Sequence, residues 1–285
     1  MTPPAPELSD EAVISRLAAM VEAEAGTELP PEKRFVVLAR LTRRIEELGL
    51  PSLQAYFRLV SSNAAERTLM VQKLCVHETR FFREGSHFDF VRTVLVPRWR
   101  AEVDAGLRPR ALRAWSAACA SGEEAFTLAM VLLEALPAST GWRLDIRATD
   151  FSPEILRQAS EATWPEARAA DVPPELRKRY LLRGVGSRAG TVRATPELRE
   201  IVNFSELNLI GPNTPSLGSF DLILLRNVLI YFSTATKKLV VDRVLERLAS
   251  DGHLIVGHAD SLNHITRRVL SVEPTIYAFA PGVRR

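Results

Sequence analysis

The segment Phe220-Asp-Leu-Ile-Leu-Leu-Arg-Asn-Val-Leu-Ile-Tyr-Phe232 decides the fold class of this chain. Its first half, from Phe220 to Leu225, is nearly all apolar, as expected for a strand that helices cover on both faces of a parallel sheet. The apolar run stops at Arg226 and Asn227. Ligands of open α/β sheets bind beyond the carboxyl ends of the strands, so these two polar residues mark a candidate site.

The segments around this strand alternate between apolar runs and helical patterns. Strands are predicted at residues 111–117, 144–149, 200–204, 220–225, 254–257 and 276–279, and helices at 88–96, 123–136, 153–162 and 236–248. The helix at 88–96 is expected to end at Pro97. This alternation predicts a right-handed, doubly wound α/β sheet. Residues 175–199 break the pattern with β-prone pieces and three glycines, and we predict a small antiparallel β-hairpin insertion at about 175–204.

The first 75 residues show only helical patterns. Ser9 and Ser52 are typical N-caps, and Gly49 is a typical helix stop. Helices are expected from Ser9, from about 31 to 48, from Ser52 and from about 64. We therefore predict two domains, an all-helical one at residues 1–75 and a sheet domain at residues 76–285.

Composition narrows the functional classes. The 285-residue chain has a formal net charge of +3, which does not by itself indicate nucleic-acid binding, and it has only two cysteines, so no disulfide framework is expected. Neither a signal peptide nor an apolar run long enough to span a bilayer is evident. We expect a soluble, cytoplasmic, monomeric protein.

The residues at two predicted strand ends indicate a pocket that binds a nucleoside and has no phosphate-binding site. The first strand leads into Trp115-Ser-Ala-Ala-Cys-Ala-Ser-Gly-Glu-Glu124, whose small residues allow a ligand to approach the backbone. Glu123, at the start of the next helix, would repel a phosphate. Asp150 ends the second strand, where an acidic side chain commonly binds ribose hydroxyls. S-adenosylmethionine (SAM) has an adenosine, an amino acid and a sulfonium but no phosphate, and it fits this pocket.

A third segment, His77-Glu-Thr-Arg-Phe-Phe-Arg-Glu84, joins the two predicted domains. Together, the segments resemble the chemotaxis receptor methyltransferases, the CheR family, which methylate receptor glutamates with SAM. The resemblance rests on Thr79-Arg-Phe-Phe-Arg83, Ala118-Cys-Ala-Ser-Gly-Glu-Glu124, Ala148-Thr-Asp150, Asn208-Leu209, Arg226-Asn-Val-Leu-Ile-Tyr-Phe232 and Gly252…Gly257-His258. His77 stands where the family usually has Asn.

The resemblance implies a class I SAM-dependent methyltransferase that forms glutamyl methyl esters and releases S-adenosylhomocysteine. Residues implied to contact the cofactor are His77, Thr79, Arg83, Glu123, Asp150, Asn208, Leu209, Arg226 and Asn227. It also implies catalytic roles for Arg83 and for Tyr231, beside the transferring methyl group. Receptor contact is implied for the basic residues of the second helix, Lys33, Arg40, Arg43 and Arg44.

The implied partners are the receptor methylation region and, at the β insertion, a receptor C-terminal peptide. Nucleic acid is not expected, nor is a metal site, since His253, His258 and His264 lack metal-ligand spacing. Two alternatives remain open from the sequence. One is a SAM-dependent methyltransferase of another substrate, and the other is a non-catalytic SAM-binding signalling module.

Overall fold

A seven-stranded sheet organises most of the chain in the computed structural model, which describes residues 9–29, 32, 34–211 and 217–282. Its strands are β1 (Ala111–Ala117), β2 (Arg143–Asp150), β6 (Val202–Glu206), β7 (Phe220–Leu225), β8 (Leu248–Val256), β9 (Val269–Glu273) and β10 (Ile276–Phe279). Their order is β6-β2-β1-β7-β8-β10-β9. The first five run parallel, and β10 pairs antiparallel with β8 and β9. This arrangement confirms the predicted doubly wound α/β class.

Apolar residues of the central strands explain why they lie in the middle of the sheet. Leu222, Ile223 and Leu225 of β7 are completely buried, and Trp115 of β1 is only 1% exposed. The helices that follow the strands are α7 (Glu123–Ala135), α8 (Pro153–Glu161), α10 (Pro196–Ile201) and α11 (Thr234–Leu245). The N-cap prediction is confirmed for α8, where the Ser152 hydroxyl accepts the N–H of Ile155.

The predicted helix at 88–96 is present, but its predicted end at Pro97 is wrong. The structure has a continuous helical path through α5 (Ser86–Phe90), a π-helical turn (Val91–Leu95) and α6 (Val96–Asp104). The N–H of Val96 bonds to the carbonyl of Val91, which is the π pattern, and Pro97 then lies in the first turn of α6. Proline is accommodated there because the π turn just before it already interrupts the regular i→i−4 hydrogen-bond pattern.

The β insertion differs from its predicted bounds at both ends. It is a three-stranded antiparallel sheet of β3 (Thr163–Pro165), β5 (Thr191–Ala194) and β4 (Leu181–Arg183), in that order, with α9 (Pro174–Tyr180) before β4. The hairpin is confirmed, but β3 precedes the predicted insertion and β6, predicted as 200–204, belongs to the large sheet. A three-residue strand such as β3 carries too few alternating positions for a sequence pattern to reveal it.

The chain forms two compact units. The helical unit comprises Met1–Val76 with Leu209–Pro212 and Tyr231–Lys237, and the sheet unit comprises His77–Asn208, Asn213–Ile230 and Lys238–Arg285. Among the described residues, no helix combines the length and the apolar character that a bilayer crossing requires.

Four helices build the helical unit: α1 (Asp10–Ala25), α2 (Arg34–Glu47), α3 (Leu53–Ser62) and α4 (Ala64–Leu74). Ser9 accepts the N–H of Ala12 and Ser52 that of Ala55, which confirms both predicted caps. Gly49 has a φ of 62°, as a helix-stop glycine requires. The buried side chains of Leu17, Leu41, Tyr56 and Met70 bring one residue from each helix into the core.

Candidate cofactor site

The loop between β1 and α7 is a tight turn of small residues. Ala118, Ala120 and Gly122 all have positive φ angles, at 61°, 48° and 92°. This conformation is uncommon for residues with a Cβ. A Cβ on Gly122 would also lie only 3.2 Å from the Cβ of Ala159, so glycine is favoured there by space as well as by φ. The loop therefore keeps its backbone accessible at the carboxyl end of β1.

Asp150 lies at the end of β2, almost fully buried, and holds this loop in place. One carboxylate oxygen accepts the N–H of Ala120 at 3.0 Å and the other that of Ser152 at 3.1 Å. The ring of His77 stacks on Phe151 and brings its Nε2 within 3.6 Å of Asp150 Oδ1. Burial raises the pKa of Asp150, and the nearby His77 and the backbone N–H groups oppose this rise.

Glu123 is the first residue of α7, and its side chain is completely buried. The Ser121 hydroxyl donates to its Oε2 at 2.6 Å, and Arg168 Nε donates to its Oε1 at 3.0 Å. Arg168 belongs to the short 3₁₀ helix Glu166–Ala169, and the sequence analysis did not identify it. The acidic group that excludes a phosphate is thus balanced by a cation from the β insertion.

Arg226 follows β7, and its guanidinium is almost entirely buried. It donates to Glu124 Oε2 at 3.0 Å, to Glu84 Oε2 at 3.1 Å and to the backbone carbonyl of Arg83, while it lies over the ring of Phe88. Two carboxylates, from α7 and from the segment before α5, therefore meet one arginine. The structure shows Arg226 inside the protein, and its predicted contact with the cofactor stays a prediction.

Asn227 adopts a left-handed φ of 58° and donates from Nδ2 to Glu84 Oε1 at 2.9 Å. A Cβ on Gly257 would lie 2.6 Å from this amide nitrogen, so the glycine after β8 makes room for it. Burial acts to raise the pKa of Glu84, but the Asn227 amide and the Arg226 guanidinium outweigh it and hold the pKa below its usual range. Glu84 therefore positions both polar residues of the β7 end, a role that the sequence analysis missed.

The remaining predicted cofactor residues are less tightly held. Arg83 donates from Nη1 to the carbonyl of Glu78 at 3.0 Å, and Thr79 is half-buried. Asn208 is half-buried just beyond β6. Leu209 and Tyr231 belong to the helical unit, so their predicted roles at the cofactor stay predictions.

Five of the predicted cofactor residues lie at the carboxyl ends of neighbouring parallel strands. Glu123 follows β1, Asp150 ends β2, Asn208 follows β6, and Arg226 and Asn227 follow β7. Because β1 lies between β2 and β7, this edge is the switch point at which open α/β sheets bind ligands.

The basic residues of α2 separate into different environments. Arg44 forms an ion pair at 2.7 Å with the buried Glu66, and Glu66 also accepts a hydrogen bond from the Tyr56 hydroxyl. Arg44 therefore stabilises the helical unit. Arg40 donates to the carbonyl of Leu74 at 2.9 Å, near the end of α4. Arg43 points outward with an 86% exposed side chain. Lys33 lies outside the described residues.

Two family models match nearly the whole chain. The CheR methyltransferase SAM-binding domain matches residues 77–278, and the CheR methyltransferase all-alpha domain matches residues 12–75. The chain belongs to the CheR methyltransferase family. It is accordingly a SAM-dependent methyltransferase of chemotaxis, and SAM is its cofactor.

Curated relatives agree with this membership along most of their length. The chemotaxis protein methyltransferase of Escherichia coli K12 is 34% identical over 275 residues, which cover 96% of this chain and 92% of the relative. The chemotaxis protein methyltransferase 2 of Pseudomonas aeruginosa is 35% identical over 253 residues, covering 89% and 88%. That of Salmonella typhimurium is 33% identical over 275 residues, covering 96% and 91%.

The residues present in this CheR protein fit SAM. Asp150 offers a buried carboxylate, which is a strong acceptor for hydroxyl groups. The acidic Glu123 stands at the helix N-terminus where nucleotide-binding folds bind phosphate, which suits a nucleoside without phosphate. When bound, SAM supplies a methyl group on a positively charged sulfur.

Proposed function

We propose that this protein transfers the methyl group of SAM to glutamate side-chain carboxylates of chemoreceptors and so forms glutamyl methyl esters. The observation that carries the proposal is the phosphate-free nucleoside pocket of Asp150 and Glu123 in a chain of the CheR family. The relatives in Escherichia coli and Pseudomonas aeruginosa are named chemotaxis protein methyltransferases. The substrate lies in the cytoplasmic part of receptors, so we also propose that the protein works in the cytoplasm, as a monomer.

The chemistry needs little from the protein beyond binding and orientation. A glutamate carboxylate is ionised at neutral pH, since its ordinary pKa is about 4.3. One of its oxygens attacks the methyl carbon, the bond to sulfur breaks with its electron pair staying on sulfur, and the products are an ester and S-adenosylhomocysteine. No proton moves, so no general base is required. The protein must remove water from the carboxylate and align it with the methyl group.

We assign the predicted roles on this basis. Arg83 can bind a carboxylate bidentately, and within the described part of the chain its guanidinium bonds to a backbone carbonyl alone. Tyr231 would offer its ring or hydroxyl beside the methyl group. The proposed cofactor contacts are His77, Thr79, Arg83, Glu123, Asp150, Asn208, Leu209, Arg226 and Asn227. His77 differs from the usual Asn of the family, and its stacking on Phe151 beside Asp150 supports a contact near the ribose.

A transfer assay tests this function directly. With SAM labelled in the methyl group and a receptor methylation-region fragment as substrate, we expect label in the fragment that mild base releases as methanol, because esters hydrolyse in base. The rate at saturating SAM should be nearly flat from about pH 6.5 to 8.5, since no side chain has to lose a proton. A base-stable product would exclude glutamyl esters, and a steep rise with pH would reveal a titrating base.

The receptor would be recognised first by the exposed face of α2. Phe35 is 84% exposed and lies beside Val36, Arg40, Arg43 and Lys73. An exposed aromatic ring surrounded by cations suits an amphipathic helix whose polar face is acidic. Receptor methylation regions are helices that carry several glutamates, so Arg43 and Phe35 are the proposed contacts. Lys33, Arg40 and Arg44 were predicted together with Arg43, whereas Phe35 was not. The ion pair of Arg44 with Glu66 favours a supporting role for Arg44.

A second contact is proposed at the β insertion, where a receptor C-terminal peptide would add a strand. β4 is an edge strand of the small sheet; Leu182 on it and Val185 two residues beyond it are exposed apolar residues. An exposed edge can accept a strand through main-chain hydrogen bonds, while neighbouring side chains select the sequence. Such a tether would raise the local concentration of the methylation sites.

A variant of the hairpin should distinguish the proposed peptide contact at the β insertion from the proposed receptor contact at α2. A Cβ on Gly184 would lie 2.0 Å from the carbonyl oxygen of Arg188, so Gly184→Val must displace the loop that follows β4. We expect methylation of full-length receptors that carry the C-terminal peptide to fall, with the isolated methylation-region fragment methylated at the original rate. Gly190→Asn is the matched control, because Gly190 has open space around it and asparagine tolerates its positive φ. Equal losses on both substrates would contradict a tether.

A further inference from the structure

Three potential metal ligands converge at one end of the large sheet. Ligand atoms of Glu84, His87 and His258 all lie within 4.8 Å of one another. The three residues come from the segment before α5, from α5 itself and from the turn after β8. No metal site was predicted from the sequence, where the spacing of His258 was compared only with that of His253 and His264. The tertiary structure instead brings His258 to His87.

One ring nitrogen of His87 lies within hydrogen-bonding distance of Thr275. The hydroxyl of Thr275 lies 2.6 Å from the carbonyl of Pro274, to which it can donate, and 2.8 Å from His87 Nε2. In the tautomer in which Nε2 donates to this hydroxyl, Nδ1 presents a lone pair. His87 is only 2% exposed, and Nδ1 has no hydrogen-bond partner among the described residues.

This lone pair faces a carboxylate. His87 Nδ1 lies 3.5 Å from Glu84 Oε2. Two electron-rich atoms that face each other in a buried place repel, unless a cation lies between them. The net charge of the neighbouring groups favours a cation, because Glu84 and Glu124 together carry two negative charges and Arg226 carries one positive charge.

We propose that Glu84, His87 and His258 form a binding site for a divalent transition metal ion of the zinc class. Two imidazoles and one carboxylate are a familiar ligand set for zinc, with a fourth position open to water. The proton on Nε2, held by Thr275, orients His87 as outer partners orient metal-binding histidines. Arg226 keeps Glu124 and the Arg83 carbonyl as acceptors when the ion takes Glu84 Oε2.

Only a small movement is needed to close the site. Bonds of about 2.1 Å in a tetrahedron place the ligand atoms about 3.4 Å apart. His87 Nδ1 and Glu84 Oε2 already have this separation at 3.5 Å. His258 is exposed, and its Nε2 lies at a long 3.4 Å from the Ser86 hydroxyl, so it is the ligand that can rotate to complete the set.

Cobalt(II) tests the site, because its visible absorption reports tetrahedral coordination. Titrating the purified full-length protein with Co²⁺ should give one bound equivalent with a tetrahedral spectrum, and Zn²⁺ should displace it. His258→Ala should weaken Co²⁺ binding by at least about ten-fold with the melting temperature unchanged, since His258 is exposed. Thr275→Val should weaken it by about 10–100-fold, because it removes the outer partner of His87 and leaves all three ligands in place.

His253→Ala is the control. His253 is also buried, but it packs against Phe90 and lies outside the cluster. It should leave the spectrum and the affinity unchanged. A folded protein that binds no Co²⁺ at stoichiometric concentration would overturn the proposal. So would Co²⁺ binding that survives both His258→Ala and Thr275→Val, since the ion would then have other ligands.

Discussion

Replacing Arg226 by alanine is expected to destabilise the sheet unit by about 3–5 kcal/mol, because the variant leaves buried carboxylates without their cation. Glu84 and Glu124 both depend on this guanidinium, at 3.1 and 3.0 Å. The ring of Phe88 and the carbonyl of Arg83 would lose their contacts as well. Urea unfolding measures this loss of stability. The transition of the sheet unit is recognised by adding S-adenosylhomocysteine, which stabilises the unit that binds it and so shifts that transition.

Two further variants separate the charge effect from general damage. Arg226→Met with Glu124→Gln removes one charge of each sign, and it should recover part of the lost stability. Arg157→Ala, on the surface of α8, removes an arginine that also pairs with two glutamates but is 60% exposed, and it should leave the unfolding midpoint nearly unchanged, because solvent screens exposed ion pairs. If Arg226→Ala and Arg157→Ala have equal effects, the buried ion-pair cluster does not stabilise the fold.

Asp150→Ala is expected to weaken SAM and S-adenosylhomocysteine equally, by about 1–3 kcal/mol, which is the usual loss for a charged hydrogen bond. The two ligands share the adenosine and the amino acid and differ in the methyl group and its charge, so an equal loss shows that Asp150 acts on the shared part and not on the methyl sulfonium. Calorimetry on the purified protein gives both affinities.

Asp150 also accepts the N–H groups of Ala120 and Ser152, so a control variant must show that disturbing the neighbouring start of α8 does not by itself weaken SAM. Ser152→Ala removes the cap of α8 and leaves the carboxylate in place. It should lower stability by about 1 kcal/mol and keep the SAM affinity. An unchanged affinity in Asp150→Ala would exclude the ribose contact.

Local patterns in the sequence predicted most of the elements. Ser9, Ser52 and Ser152 cap helices as expected, since a cap depends on residues within one turn. The strand from Phe220 to Leu225 has the predicted bounds. Pro97 misled the prediction, because a π turn can absorb a proline that local rules treat as a stop. β9 was missed although Val269, Leu270 and Val272 are β-prone, because five residues at an exposed sheet edge give too short a pattern to identify.

The sequence by itself determined which segments form helices and strands, where a ligand would bind relative to the parallel strands, and that the pocket suits a nucleoside without phosphate. Only the tertiary structure decided which charges meet. Arg226 joins Glu84 across 142 residues of chain, Arg168 balances Glu123 across 45, and Arg44 reaches Glu66 across 22. Helix and strand periodicity concerns neighbours within a few residues, whereas these partners are chosen by how the folded elements pack. The same packing turns His87 and His258, unremarkable in the sequence, toward one carboxylate.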